Sequence, residues 1–245
     1  MHNPDRSIES FLIYKRQIET ERPQLTVEGR IIALDGINEA GKSAIASRLV
    51  EALKSKYGEE GVVLVKFNFT GGDEQRRLGS IVKNKKPQPG VVGGLISAGI
   101  NRGYHEVILP ALETGKIVVI DRSEIDLLRF ALESGDVELY KKRLKLISEG
   151  SITHRLWSGN RVFVHIKVEE AWNNLCQRGS NSQFDPKSIE EVQKRVEAQL
   201  EVERLAMVLP CKGTVNCIRI ENERCDDFNG FLDGLTQKII DKLVL

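Results

Sequence analysis

Eight consecutive residues carry the plainest chemistry in this 245-residue chain: Gly36, Ile37, Asn38, Glu39, Ala40, Gly41, Lys42 and Ser43. Their spacing fits G-x-x-x-x-G-K-[ST], a loop that cradles phosphate groups. Glycine at both ends lets the backbone curl, so that successive N–H groups, carried on to Ala44, face phosphate oxygens. Lys42 can reach the outer phosphates of a nucleotide, and the Ser43 hydroxyl can ligate Mg²⁺. The motif has meaning only between a strand and a helix. Both flanks are present: residues 30–35 (RIIALD) read as a buried strand, and Ile45, Leu49 and Leu53 share one face of a helix over 44–55. That helix adds the positive end of its dipole to the phosphate site.

A second chemical pair closes another strand. Residues 116–121 (KIVVID) form a near-continuous apolar run that ends on Asp121 and is followed by Arg122. Such a run marks a strand buried on both faces, and in a doubly wound sheet the carboxyl ends of the strands border the ligand crevice. There Asp121 would hold Mg²⁺ through water, and Arg122 would grip an acceptor phosphate with its planar fork. A helix-capping Asp121 and a surface ion-paired Arg122 are the structural alternatives.

The elements that must position these residues alternate along the chain. Further strands are expected at 62–67, 161–168 and 215–220. Helices are expected at 95–113, 127–148 with a break at Gly135, 169–178, 188–207 and 228–243. Segment 84–90 (NKKPQPG) reads as a loop. Five strands alternating with helices imply an α/β fold, a five-stranded parallel sheet with helices on both faces. Residues 1–28 stand apart as an N-terminal extension with a helix expected over 7–22, and 29–245 read as one domain.

Composition narrows the function classes. Thirty-six Lys and Arg against 35 Asp and Glu give a net charge of +1, which argues against a nucleic-acid partner. No apolar run approaches the roughly 20 residues that span a bilayer, and the first residues lack a signal-peptide pattern. Cys176, Cys211, Cys217 and Cys225 show no C-x-x-C spacing and read as free thiols of a reducing, cytoplasmic setting.

Residues 95–122 read LISAGINRGYHEVILPALETGKIVVIDR. This stretch resembles the thymidylate kinase family, whose corresponding helix ends on an Arg and a His, continues through I-x-P-A-L-x-x-G-K-x-V and closes on D-R. The matching residues are Arg102, His105, Ile108, Pro110, Ala111, Leu112, Gly115, Lys116, Val118, Asp121 and Arg122. The resemblance runs from about Arg30 to the last helix. It implies a P-loop kinase fold, ATP and Mg²⁺ as cofactors, and a small-molecule nucleotide as partner, with dTMP as the first candidate acceptor. It also implies that Arg102 contacts the acceptor base, that Arg122 clamps the acceptor phosphate, and that Arg178 opens a short lid near 178–187. A solvated Arg102, a structural His105 and a helix-terminal Arg178 before a glycine cap remain the plain alternatives. Relatives commonly form homodimers.

Four departures from the family pattern concern the acceptor and metal side. Asn68 stands where the family has an arginine on the acceptor phosphate, with Arg76 and Arg77 as nearby substitutes. Asn38 replaces an Asp, and Glu39 replaces a glycine, offering a carboxylate close by. Ala98 stands where an aromatic ring stacks on the base, leaving Tyr104 and Phe130 as other rings. Ser123 replaces a Tyr, making the Asp-Arg-Ser run that is also similar to deoxynucleoside and polyphosphate kinases. Two other readings therefore stay open: a nucleoside or polyphosphate-dependent kinase, and a nucleotide-binding regulatory protein with weakened transfer.

Overall fold

The computed structural model describes residues 30–66, 99–100, 102–123, 125–148, 160–179, 185–208, 217–223 and 227–242. The extension over 1–28, the loop over 84–90, Asn68, Arg76, Arg77, Ala98, Cys211 and Cys225 lie outside the described residues. Cys176 and Cys217 form no disulfide.

Five strands, β1 (Arg30–Asp35), β2 (Val62–Lys66), β3 (Ile117–Asp121), β4 (Asn160–His165) and β5 (Cys217–Glu221), build one sheet in the order β2-β3-β1-β4-β5. All four pairings are parallel. Parallel neighbours need long crossovers, and helices supply them. These are α1 (Lys42–Tyr57), α2 (Leu109–Glu113), α3 (Ile125–Glu133), α4 (Val137–Ser148), α5 (Val168–Arg178), α6 (Ile189–Val208) and α7 (Phe228–Lys242). The expected five-stranded α/β arrangement is therefore observed. The strand expected over 161–168 ends at His165, because Val168 already begins α5.

Burial follows the sheet. All five residues of β3 are buried, whereas the edge strand β5 alternates buried and exposed positions. Alternation of side chains splits β1 between two cores. Ile32 and Leu34 pack with Ile45, Leu49 and Leu53 of α1 and Leu235 and Ile239 of α7. Ile31 and Ala33 face Val118, Ile120, Tyr104, Ile108 and Leu112 on the other side. A third cluster joins Ile125 and Leu128 of α3 to Phe163 of β4 and Val202 and Ala206 of α6.

The helix expected to run into Glu113 contains a π turn, Tyr104–Ile108, directly before α2. The Leu109 N–H donates to the Tyr104 carbonyl five residues back. The next residue, Pro110, has no N–H and its ring crowds the carbonyl four residues earlier, so the wider turn absorbs it. Gly135, in left-handed conformation at φ 69°, makes the expected break between α3 and α4.

Strand order reverses at β1, with β3 on one side and β4 on the other. Leu34 of β1 pairs with Asp121 of β3, so the chain leaves β1 beside the carboxyl end of β3. That crevice is where ligands bind in such sheets. Because Leu49 is fully buried between β1 and α7, Leu49→Ala should destabilise the protein by about 2–5 kcal/mol, read as a lower midpoint in urea at unchanged slope.

Candidate active site

The loop from Gly36 to Ser43 leaves β1 and enters α1. Its two glycines do what the motif requires. Gly36 has φ 154°, and a Cβ there would sit 2.5 Å from the Val164 carbonyl oxygen of β4. Gly41 has φ 78°, and a Cβ would meet the Asn222 side chain at 2.6 Å. Asn222 itself donates from Nδ2 to the Ala40 carbonyl at 2.9 Å, tying the loop to the residue after β5.

Between the glycines, Asn38–Ala40 form one 3-10 turn. Successive side chains on such a turn diverge by about 120°. Asn38 and Glu39 accordingly face different ways. Asn38 accepts a hydrogen bond from Arg122 Nη1 at 2.9 Å. Glu39 turns toward α5, where Arg178 Nη2 lies 3.4 Å from its Oε1, and Asn174 Nδ2 donates to its backbone carbonyl at 3.4 Å. The carboxylate that Glu39 offers near the loop is therefore paired with Arg178. Its side chain is buried against the base of the expected lid.

Lys42 is buried at 2 % exposure, and its Nζ donates to the Gly36 and Ile37 carbonyls at 2.8 and 2.6 Å. Burial, then the nearby Arg122 guanidinium, lower its pKa to about 7, against an opposing pull from Asp126. Ser43 Oγ donates to Asp121 Oδ2 at 2.5 Å. Asp121 is fully buried and its Oδ1 has no hydrogen-bond partner. A hydroxyl and a carboxylate with an orphaned oxygen at the mouth of a phosphate loop are a donor set that fits Mg²⁺. This ion prefers one or two protein oxygens and fills the rest of its shell from phosphates and water.

Arg122 has φ 77°, a left-handed conformation that few non-glycine residues adopt and that marks a strained, over-determined position. Its N–H donates to the Leu34 carbonyl at 3.0 Å, so the strained residue is pinned to the end of β1. From Nη1 it also donates to Asp126 Oδ2 at 2.9 Å. Asp126 in turn accepts from Arg129 Nε at 3.2 Å, and Arg129 pairs with Glu133. Burial pushes the Asp126 carboxyl up, but Arg129, Arg122 and Lys42 outweigh it and hold it ionised. Below this layer, Asp35 accepts from the backbone and hydroxyl of Ser123 and from Arg161, all three residues buried. Burial outweighs these partners and raises the Asp35 pKa. Ser123 is thereby a structural joint between β1, β3 and β4.

The remaining sequence candidates divide. Arg178, half exposed, bridges Glu39 and Asp185, both reached from its Nη2. Gly179, at φ 76°, caps the helix, so Arg178 is both helix-terminal and at the loop. Arg102 sits before the π turn, 3.7 Å from Glu106. Tyr104 is core, buried at 2 %, and His105 stacks edge-on against it. Phe130 carries the Arg129 guanidinium on its face. The Tyr104 ring is thus buried, whereas Phe130 is half-buried. Asp126 and Arg129 escaped the sequence reading. Their signal was charge at positions 4 and 7 after Arg122, inside the otherwise apolar face of α3.

An open parallel sheet with a phosphate loop at its reversal point and a Ser–Asp pair beside it defines a P-loop kinase fold. A solved structure with the same build is the thymidylate kinase of Ehrlichia chaffeensis, at TM-score 0.59 and 14% identity, covering 87% of this chain and 97% of that one. Among curated proteins, the chain is 26% identical over 186 residues to a probable thymidylate kinase of Thermococcus gammatolerans, across 69% of this chain and 79% of the relative. No protein-family model matches the chain. The first likeness shows the fold and the second is a sequence similarity to a probable thymidylate kinase, both in line with the resemblance read from the sequence.

Lys42→Met should remove transfer while leaving the fold intact. The sign of its pH effect follows from the lowered pKa: between about 7 and 10.5 the unfolded chain holds a proton that native Lys42 has lost. Native stability from this group therefore rises across that window, and below it the full cost of a buried ammonium applies. Urea titrations at pH 7 and pH 10 should show a gain with pH in the native protein that Lys42→Met lacks.

Proposed function

We propose that this protein is an ATP- and Mg²⁺-dependent nucleoside monophosphate kinase whose acceptor is dTMP. The observation that carries the reading is the meeting of Lys42, the Ser43–Asp121 pair and Arg122 within one crevice at the carboxyl ends of β1 and β3. The curated relative named as a probable thymidylate kinase adds support.

In this reading the loop from Gly36 to Ala44 binds the nucleotide phosphates through its N–H groups. Lys42 exchanges the Gly36 and Ile37 carbonyls for phosphate oxygens and so regains a charged partner. Ser43 and Asp121 would hold Mg²⁺, which neutralises charge on the phosphate chain. Arg122 binds the acceptor phosphate, and Arg178 approaches from the α5 side. Phosphate as acceptor needs no general base, because its oxygen is already ionised near neutral pH. Arg102 contacts the acceptor base. Asn68 and Ala98 belong to the acceptor side by resemblance alone. No helix among the described residues is long and apolar enough to cross a membrane. We take a cytoplasmic location, a small nucleotide partner and a homodimer as parts of the same proposal.

A labelled-phosphate screen with ATP against nucleosides, nucleoside monophosphates and polyphosphate tests it. Transfer to dTMP supports the reading. Transfer confined to nucleosides or to polyphosphate selects a rival kinase, and none at all selects a regulatory nucleotide binder.

Arg122→Ala should reduce kcat/KM for the acceptor by about 100-fold or more, the range expected when a charge-stabilising donor is removed. ATP affinity should stay within about twofold. Separate titrations of the two substrates measure this, and a loss confined to ATP would contradict the role of Arg122.

Base choice should be loose. A stacked ring contributes about 1–3 kcal/mol per base, and Ala98 supplies none. Competition between dTMP and dUMP should show comparable turnover, and Ala98→Phe should shift the ratio toward one base. Strong native preference for dTMP would show that another residue supplies the stacking face.

A further inference from the structure

We propose that Asp126 is a positioning residue that presents Arg122 to the acceptor phosphate. The inference rests on the kinase reading above and extends it to a residue outside the phosphate loop and the Asp-Arg pair.

Arg122 Nη1 is held from two sides, by Asn38 Oδ1 and by Asp126 Oδ2, each at 2.9 Å. Both bonds fall on one nitrogen. The bonds to Asn38 and Asp126 leave the other edge of the guanidinium, Nε and Nη2, available to a ligand, and the side chain as a whole is 21% exposed. A planar fork held by one corner presents its other edge in a fixed plane, which is the geometry that bidentate phosphate binding needs. The left-handed backbone at Arg122 aims the side chain at this spot, so backbone and side chain are both constrained.

Asp126 suits the task because it is itself immobile. It is 5% exposed, and its second oxygen takes the Nε of Arg129, a fully buried residue. Arg129 is held by Glu133, whose other oxygen lies 3.7 Å from Arg195 Nε of α6. The acceptor arginine is therefore referenced through Asp126 to the α3–α6 core. Had Asp126 served only to neutralise Arg129, its Oδ2 would not need to reach Arg122.

A double-mutant cycle separates positioning from a merely structural role. Native protein, Asp126→Asn, Arg122→Ala and the double variant are assayed with ATP and dTMP, titrating each in turn. Asp126→Asn should lower kcat/KM for dTMP about 10- to 100-fold with the KM for ATP within about twofold. The same change in the Arg122→Ala background should cost nothing further. Equal losses in both backgrounds, or a loss carried by ATP, would overturn the proposal. Should Asp126→Asn fail to fold, Asn38→Ala removes the second clamp without stripping Arg129 of its partner, and the same cycle with Arg122→Ala decides. Should native protein transfer nothing to dTMP, the kinase reading fails separately. The ¹⁵N resonances of the Arg122 guanidinium then still report on Asp126, since loss of restricted rotation in Asp126→Asn supports the clamp and unchanged resonances refute it.

Discussion

Lys42 sits in a pocket walled by carbonyl oxygens, with Arg122 and Arg129 close enough to repel it. The crevice gathers Lys42, Arg122 and Arg129, and cations this close together, Lys42 and Arg129 buried, must be neutralised by the protein. Here the neutralising groups are two loop carbonyls, Asp121, Asp126, Glu133 and Asp35. The arrangement of the crevice follows from this requirement. Each cation has a temporary or permanent anionic neighbour, and burial strengthens every such interaction while raising the cost of leaving one unmade.

The neutralising groups fall into two layers with different duties. Asp35, Ser123 and Arg161 lie beneath the loop and join the ends of β1, β3 and β4. Nothing in that layer faces the crevice, so its duty is to fix the strand ends at which the loop and Arg122 begin. Above it, Ser43 bonds to Asp121, Lys42 to two loop carbonyls and Arg122 to Asn38 and Asp126, and in the proposed reading phosphate and Mg²⁺ exchange with some of these partners. The Ser43–Asp121 bond and the Lys42–carbonyl bonds are of this exchangeable kind. A rigid layer under an exchangeable one lets a ligand take over partners without moving the sheet.

The single 3-10 turn inside the loop distributes the loop's influence. Because Asn38 and Glu39 diverge, one loop side chain reaches Arg122 at the end of β3 and the next reaches Arg178 at the end of α5. Two arginines from opposite sides of the crevice are thus tied to the same short segment of backbone. That coupling leaves the Glu39 side chain buried against Arg178.

Much of this was legible in the residue order, for local reasons. The G-x-x-x-x-G-K-S spacing, set between a strand and a helix, dictates a loop geometry. The unbroken apolar run of β3 marks a strand buried on both faces, and the breaks at Gly135 and Gly179 follow from left-handed backbone that glycine alone adopts cheaply. Strand and helix alternation was enough to reach a five-stranded parallel sheet. The tertiary structure decided what depends on distance in space. Asp35 and Asp126 read as ordinary polar residues until β1, β3 and α3 bring them against Arg161 and Arg122. The direction of Glu39 depended on a turn type that its residue letter does not encode. The burial of the Tyr104 ring depended on which side of its helix packs inward. Periodicity and short motifs record what a residue needs from its neighbours in sequence, whereas the pairing of buried charges is set by which strand ends the sheet order makes adjacent.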